Sequence, residues 1–233
     1  MLRRITAAIP NTITCLNLIS GCVAIFMAFN SNRFFGSLCG AEWAMIAIGA
    51  AAVFDFLDGA SARLLKAFSP LGKDLDSLAD LVSFGVAPAM LVLNAMLTYG
   101  THSWAAFATL LIPAFGALRL AKFNNDTEQT TVFRGLPIPA NAIFWIGVYG
   151  WIARYGYPGW VVMWVLIAAM CWGMVAKMKM FSLKFKNFSF HENFIRYVII
   201  VAAIVFVALY GISGLAWTIV LYFLLSLLRQ SRI

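Results

Sequence analysis

The sequence predicts an all-α bundle of about eight transmembrane helices. Hydrophobic residues make up 63% of the 233 positions and charged residues only 11%, which excludes an ordinary soluble domain. Apolar stretches near the length that spans a bilayer recur along the chain. They cover residues 12–29, 41–67, 75–98, 103–123, 137–153, 158–176, 194–211 and 213–229.

The basic residues predict how this bundle is oriented. If the N-terminus is cytoplasmic, all but two of the 17 lysines and arginines fall on the cytoplasmic side, and the exceptions are Arg33 and Arg154. Cytoplasmic loops of membrane proteins carry such an excess of positive charge. We therefore expect both termini in the cytoplasm. The net charge of +8 is then explained by topology and anionic lipid, and no nucleic-acid partner is expected.

One short stretch holds most of the negative charge. Five of the nine acidic residues lie between Asp55 and Asp80, within the pattern D-x-x-D-G-x-x-A-R-x8-G-x3-D-x3-D. A charged side chain inside a membrane segment costs a few kcal/mol, about 2.5–3.5 on insertion scales. Such residues are rare without a function, so this cluster is the candidate site.

Helical periodicity brings four of these carboxylates together. At about 100° per residue, Asp55 and Asp58 share one face of the predicted second helix. Ser69-Pro70 ends that helix, because the residue before a proline disfavours helical geometry. On the following helix Asp76 and Asp80 are four positions apart and stack above one another. Two antiparallel helices can thus direct two carboxylates each into one pocket.

Four facing carboxylates cannot all remain ionised without cations. Their hard oxygen ligands favour Mg²⁺, Mn²⁺ or Ca²⁺, and such a site suits phosphoryl-type transfer. Asp74 lies roughly 160° around its helix from Asp76, so it is expected to complement the helix dipole instead. The alternative is a set of buried aspartates that only pair with Arg63, Lys66 and Lys73.

Residues around the acidic cluster suit a phosphorylated ligand. Gly59 and Ala62 allow a bulky ligand or a facing helix to approach closely. Arg63 can clamp a phosphate through its forked donors. Asn11 and Thr14 lie at the cytoplasmic end of the first helix, where they could contact a nucleotide.

A second group of polar residues flanks the site from the fourth and fifth spans. Arg119, Lys122 and Arg134 are either positive-inside anchors or an anion clamp for the carboxylate of an acceptor. Asn124 belongs to the same polar group.

The acidic pattern resembles the signature of the CDP-alcohol phosphatidyltransferase family, and all eight fixed positions are matched. The resemblance implies that Asp55, Asp58 and Asp76 hold a pair of divalent metals, Mg²⁺ or Mn²⁺. It also implies that Asp80 joins them and acts as the general base. The residues expected on the CDP-linked lipid are Asn11, Thr14, Gly59, Ala62, Arg63, Ser69 and Gly72.

Four further segments resemble the branch of this family whose acceptor is L-serine. They are residues 76–88, 119–124, 135–141 and 180–186. The resemblance implies transfer of a phosphatidyl group from CDP-diacylglycerol to L-serine with release of CMP. It places Arg119, Lys122, Asn124 and Arg134 on the acceptor. Lys122 stands where this branch is expected to have arginine, which keeps the charge but loses the forked geometry.

The resemblance also suggests an organisation for the whole chain. Residues 1–193 would form a core of six transmembrane helices, and 194–233 would add two more, which could serve a homodimer contact. The protein would lie in a bacterial inner membrane among lipids, with its active site facing the cytoplasm. Alternatives are a family member with glycerol 3-phosphate or inositol phosphate as acceptor and, from another class, a cation transporter.

Overall fold

The protein is a bundle of α-helices, as the sequence predicts. The computed structural model describes residues 2–99, 103–125, 133–180 and 190–228. The helices are α1 (Leu2–Phe29), α2 (Gly40–Leu64), α3 (Pro70–Asp80), α4 (Ala87–Thr98), α5 (Ser103–Ala106), α6 (Leu111–Asn125), α7 (Ile138–Tyr155), α8 (Trp160–Val175), α9 (Phe190–Tyr210) and α10 (Gly214–Leu228). Two antiparallel pairs of two-residue strands are β1 (Phe34–Phe35) with β2 (Leu38–Cys39), and β3 (Phe133–Arg134) with β4 (Lys179–Met180).

The helices coincide with the predicted apolar stretches. Among the described residues, five helical segments are long and apolar enough to cross a membrane, namely Ala8–Phe29, Gly40–Leu64, Pro70–Thr98, Trp104–Asn125 and Asn193–Leu228. The last segment contains both α9 and α10, which pack against each other across a short 3₁₀ turn. The chain is therefore an integral membrane protein. The number of crossings and the cytoplasmic position of the termini stay predictions.

A widened turn joins α3 to α4. The chain forms a π-helical turn at Leu81–Val86, in which the backbone N–H of Ala87 donates to the carbonyl of Val82. Pro88 has no N–H to donate to the carbonyl of Phe84, so the regular helical ladder is interrupted here. Single π turns of this kind often occur at functional sites. The π turn thus lies directly before the position at which Pro88 interrupts the ladder.

The core is built where the long helices contact one another. The first helix packs along α2 and also contacts α3 and α4, while α10 packs against α7 and α9. Trp145 of α7 and Phe84 of the π turn are among the largest fully buried side chains. Large apolar side chains such as Phe56 and Leu64 remain exposed on the outside of the bundle, as expected for a surface in contact with lipid tails.

Small residues allow α7 and α10 to approach closely. A Cβ atom added at Gly147 would lie 2.2 Å from the backbone nitrogen of Ala216 and 2.8 Å from its Cβ. Helix pairs in membranes associate largely through such close contacts of small residues. Gly147 is therefore required by the packing of α10 against the rest of the bundle.

We predict that Gly147→Ala lowers the free energy of unfolding by about 1–3 kcal/mol, the usual cost of inserting an extra methyl group into a well-packed contact. The added methyl group meets backbone atoms, which cannot rotate away. Gly49→Ala is the matched control, because nothing lies within 4 Å of a Cβ at that position of α2. Thermal unfolding in detergent should separate the two variants, and equal melting temperatures would contradict the assignment of this helix contact.

Candidate active site

The acidic pattern spans a sharp reversal between α2 and α3. The first of these helices ends at Leu64, and Lys66 adopts a positive φ of 50° in the turn that follows. Ser69 caps α3, because its Oγ accepts a hydrogen bond of 3.0 Å from the backbone N–H of Gly72. Pro70 occupies the first turn, where a missing N–H is tolerated. The reversal places the end of one helix beside the start of the next.

Three carboxylates meet at this reversal. One carboxylate oxygen from each of Asp55, Asp76 and Asp80 lies within 4.8 Å of the other two. One oxygen of Asp76 is buried and has no hydrogen-bond partner among the described residues. Like charges this close need a compensating cation, and carboxylate oxygens are the ligands that hard divalent cations prefer. The donor set therefore fits a divalent metal ion.

Asp58 lies at the edge of this cluster. Its side chain is buried, and its Oδ2 accepts a hydrogen bond of 2.6 Å from the hydroxyl of Thr14 on α1. The same hydroxyl is 3.0 Å from the carbonyl of Pro10, so its single proton can serve only one acceptor at a time. The carboxylates of Asp58 and Asp76 are close enough to repel each other. The structure thus groups three of the four predicted ligands tightly and holds the fourth beside them.

Asp80 is the deepest member of the cluster. It is buried, and its Oδ1 accepts a hydrogen bond of 3.3 Å from the side-chain amide of Asn17 on α1. Arg119 of α6 interacts with it electrostatically. The predicted general base therefore accepts a hydrogen bond from one neutral donor and interacts electrostatically with one cation and two carboxylates.

A cavity of about 210 Å³ adjoins the cluster. It is lined by Pro10, Asn11, Thr14, Asp58, Gly59, Ala62, Ala67, Phe68, Ser69, Gly72, Lys73 and Asp76. The lining includes every residue predicted to contact the CDP-linked lipid except Arg63. Arg63 is exposed, and its Nη1 lies 3.4 Å from the position that a Cβ of Gly59 would occupy. Its guanidinium group thus folds back over Gly59, toward the cavity rim.

The predicted acceptor residues occupy different environments. Arg119 is buried, and its Nε has no hydrogen-bond partner among the described residues. Lys122 is exposed. The amide of Asn124 donates to the hydroxyl of Ser77 over 2.8 Å, which ties α6 to α3. The side chain of Arg134 lies outside the described part of the structure. Of this group, Arg119 is the one that the described structure brings to the aspartates.

Two residues near the cluster were not predicted as site residues. Asn17 follows Thr14 by one helical turn on α1, a spacing that was equally consistent with helix packing. Tyr222 of α10 is buried and lies within electrostatic range of Arg119. No local pattern distinguishes Tyr222 from other aromatic residues of an apolar span, so only the packing of α10 reveals its position.

Comparison with known proteins finds a family model that covers the residues of this site. The family model of the CDP-alcohol phosphatidyltransferases matches residues 7–172, which include all four clustered aspartates and Arg119. The match ends before α9 and α10. The site thus lies within the matched region, and the last two helices lie beyond it.

Three relatives bear the name CDP-diacylglycerol–serine O-phosphatidyltransferase. The protein of Mycobacterium leprae is 36% identical over 165 residues, which cover 68% of this chain and 52% of the relative. That of Bacillus subtilis is 39% identical over 131 residues, covering 56% of this chain and 69% of the relative. That of Methanocaldococcus jannaschii is 37% identical over 147 residues, covering 63% of each. The matched part of the chain spans about half the length of the mycobacterial relatives.

The signature, its clustered carboxylates and the extent of the family match lead to one assignment, which confirms the resemblance seen in the sequence. The chain belongs to the CDP-alcohol phosphatidyltransferase family.

Proposed function

We propose that the protein is a phosphatidylserine synthase, which transfers the phosphatidyl group of CDP-diacylglycerol to L-serine and releases CMP. The observation that carries this proposal is the group of Asp55, Asp76 and Asp80 within 4.8 Å, beside a cavity lined by the predicted CDP-lipid residues. The names of the relatives support serine as the acceptor.

The acidic cluster would hold two divalent cations, Mg²⁺ or Mn²⁺. Asp55, Asp76 and Asp80 would be ligands, with Asp58 joining them from the edge. When bound, the metal would neutralise the diphosphate of the substrate and the charge that develops on it during transfer. The hydrogen bond from Thr14 fixes the Asp58 carboxylate without cancelling its charge.

The protein groups supply the proton transfer and the orientation. Asp80 accepts the proton of the serine hydroxyl, which requires the hydroxyl to lie within hydrogen-bond reach of the carboxylate. The serine oxygen then bonds to the phosphorus that carries diacylglycerol, and the bond from that phosphorus to the CMP oxygen breaks. Arg63, folded over Gly59, can stabilise the charge of the departing CMP.

Arg119 is the candidate partner of the serine carboxylate. It is buried beside Asp80, and its Nε has no partner among the described residues. A buried guanidinium group can bind a carboxylate with two parallel hydrogen bonds. Serine held in this way would present its hydroxyl toward Asp80.

The surroundings of the site belong to the same proposal. The protein would lie in a bacterial cytoplasmic membrane with the aspartates facing the cytoplasm, since the basic residues concentrate on that side. Residues 1–193 would form the catalytic core, and the remaining helices would support it or contact a second copy of the chain.

The reaction is tested by measuring CMP release from CDP-diacylglycerol with purified protein and one acceptor at a time. We expect L-serine to support turnover, because the single charge of Arg119 matches that of one carboxylate, whereas a phosphate ester carries nearly two negative charges and would need more cations. Glycerol 3-phosphate and inositol phosphate are the comparison acceptors. Turnover with either of these and none with serine would overturn the acceptor assignment. No CMP release with any acceptor, together with metal-dependent cation flux in vesicles, would indicate a transporter.

We predict that Asp76→Asn reduces CMP formation by at least about 10³-fold, because it removes a charge from the centre of the cluster. Direct titration with Mn²⁺, followed by electron paramagnetic resonance, should also show weaker metal binding.

The matched control for this variant is Asp74→Asn, which changes an exposed carboxylate two residues away. The control should retain most of its activity and its metal affinity. A loss in Asp74→Asn as deep as that in Asp76→Asn would mean that the cluster is assigned to the wrong face of α3.

We predict that Arg119→Ala raises the KM for serine about tenfold or more and leaves the KM for CDP-diacylglycerol nearly unchanged. Removing a charged hydrogen-bond partner is worth roughly 1.5–3 kcal/mol, which corresponds to this change in affinity. Lys177→Ala removes an exposed cation that is not among the predicted acceptor residues and serves as the control. If Arg119→Ala raises mainly the KM for CDP-diacylglycerol, Arg119 binds the nucleotide or lipid instead.

A further inference from the structure

Asn17 is an unusual residue to find in the first helix of a membrane bundle. Its side chain is 0% exposed, and its amide nitrogen lies 3.3 Å from Oδ1 of Asp80. A buried amide is costly in apolar surroundings unless it is hydrogen-bonded. Its own Oδ1 has no partner among the described residues. The side chain is therefore satisfied mainly through the carboxylate of Asp80.

The position of Asn17 is fixed by the π turn that begins directly after Asp80. The hydroxyl of Ser83, in that turn, donates a hydrogen bond of 2.9 Å to the backbone carbonyl of Asn17. One turn further along α1, a Cβ at Gly21 would lie 2.8 Å from Cα of Ser83. The backbone of α1 thus touches the π turn. The contact between α1 and the π turn therefore fixes the positions of both Asn17 and Asp80.

This arrangement differs from that of the neighbouring donor Thr14. Thr14 lines the cavity beside Asp58, whereas Asn17 lies one turn along α1 and is absent from the cavity lining. Asn17 is therefore placed to act on the base rather than on the nucleotide. A hydrogen bond from the amide to Oδ1 restricts rotation of the carboxylate and so fixes the direction of both of its oxygens.

We propose that Asn17 is a positioning residue that orients the carboxylate of Asp80 for proton transfer from the acceptor. The inference rests on the proposed function, in which Asp80 is the general base. Asn17 is fully buried and does not line the cavity, so it acts through Asp80. Its contribution appears in the transition state, where misorientation of the base is most costly.

The test compares Asn17→Leu with the wild-type protein in the CMP-release assay, with both KM values measured. We expect kcat to fall about tenfold to a hundredfold, the effect of losing a hydrogen bond to a charged group. Both KM values should change little, because Asn17 does not line the cavity, so its loss should lower kcat and kcat/KM together without weakening substrate binding. Binding of CDP-diacylglycerol, measured by isothermal titration calorimetry, should be retained.

Thr109→Val is the matched control. It also removes the polar group of a fully buried side chain, since the hydroxyl of Thr109 donates to the carbonyl of Ala106. Both residues lie far from the aspartates along the chain. We expect its kcat to be unchanged. An equal fall of kcat in this control, an unchanged kcat in Asn17→Leu, or a rise in KM alone would overturn the positioning role.

A second variant covers a failure of Asn17→Leu to fold. Asn17→Ala removes the donor without adding a charge or bulk, so it must also lower kcat while a folded protein is recovered. Full activity of this variant would overturn the inference. Wild-type turnover with serine is measured first. Its absence would refute the proposed function, whereas normal wild-type turnover with unaffected variants would refute only the role of Asn17.

Discussion

Repulsion between carboxylates is the constraint on which the rest of the site depends. Asp55, Asp76 and Asp80 lie within 4.8 Å of one another inside a largely apolar bundle. Their charges are weakly screened there, so the arrangement favours a bound cation or neutralisation of the group. Arg119, the buried arginine at the edge of the cluster, cannot balance several carboxylates by itself. The cluster therefore fits a multiply charged cation.

The hydrogen-bond partners of the aspartates are consistent with that requirement. Thr14 donates to Asp58 and Asn17 donates to Asp80, both from the first helix. Neutral donors orient a carboxylate without cancelling its charge, whereas a lysine or arginine would compete with a metal for it. The first helix thus orients one carboxylate on each of the two acidic helices. The close contact of Gly21 with Ser83 fixes the position of the first helix against the π turn.

The location of the cavity suits a substrate that is partly lipid and partly nucleotide. Its lining combines polar residues such as Asn11 with Phe68, which is 74% exposed on the outside of the bundle. A cavity that reaches from the carboxylates to an apolar outer surface can hold a charged head group while acyl chains remain among the surrounding lipids. The reversal between α2 and α3, with Lys66 at positive φ, creates this junction.

The sequence by itself determined the helical bundle and the acidic motif, because hydropathy and the 3.6-residue period are local properties. Stacking of Asp76 and Asp80 follows from their spacing alone. Only the tertiary structure shows that the amide of Asn17 donates a hydrogen bond to Asp80, 63 positions away. It also decides that the side chain of Arg119 is buried whereas that of Lys122 is exposed. The rotation and depth of each helix are set by the side chains that meet at its contacts, and these contacts join residues distant in the chain.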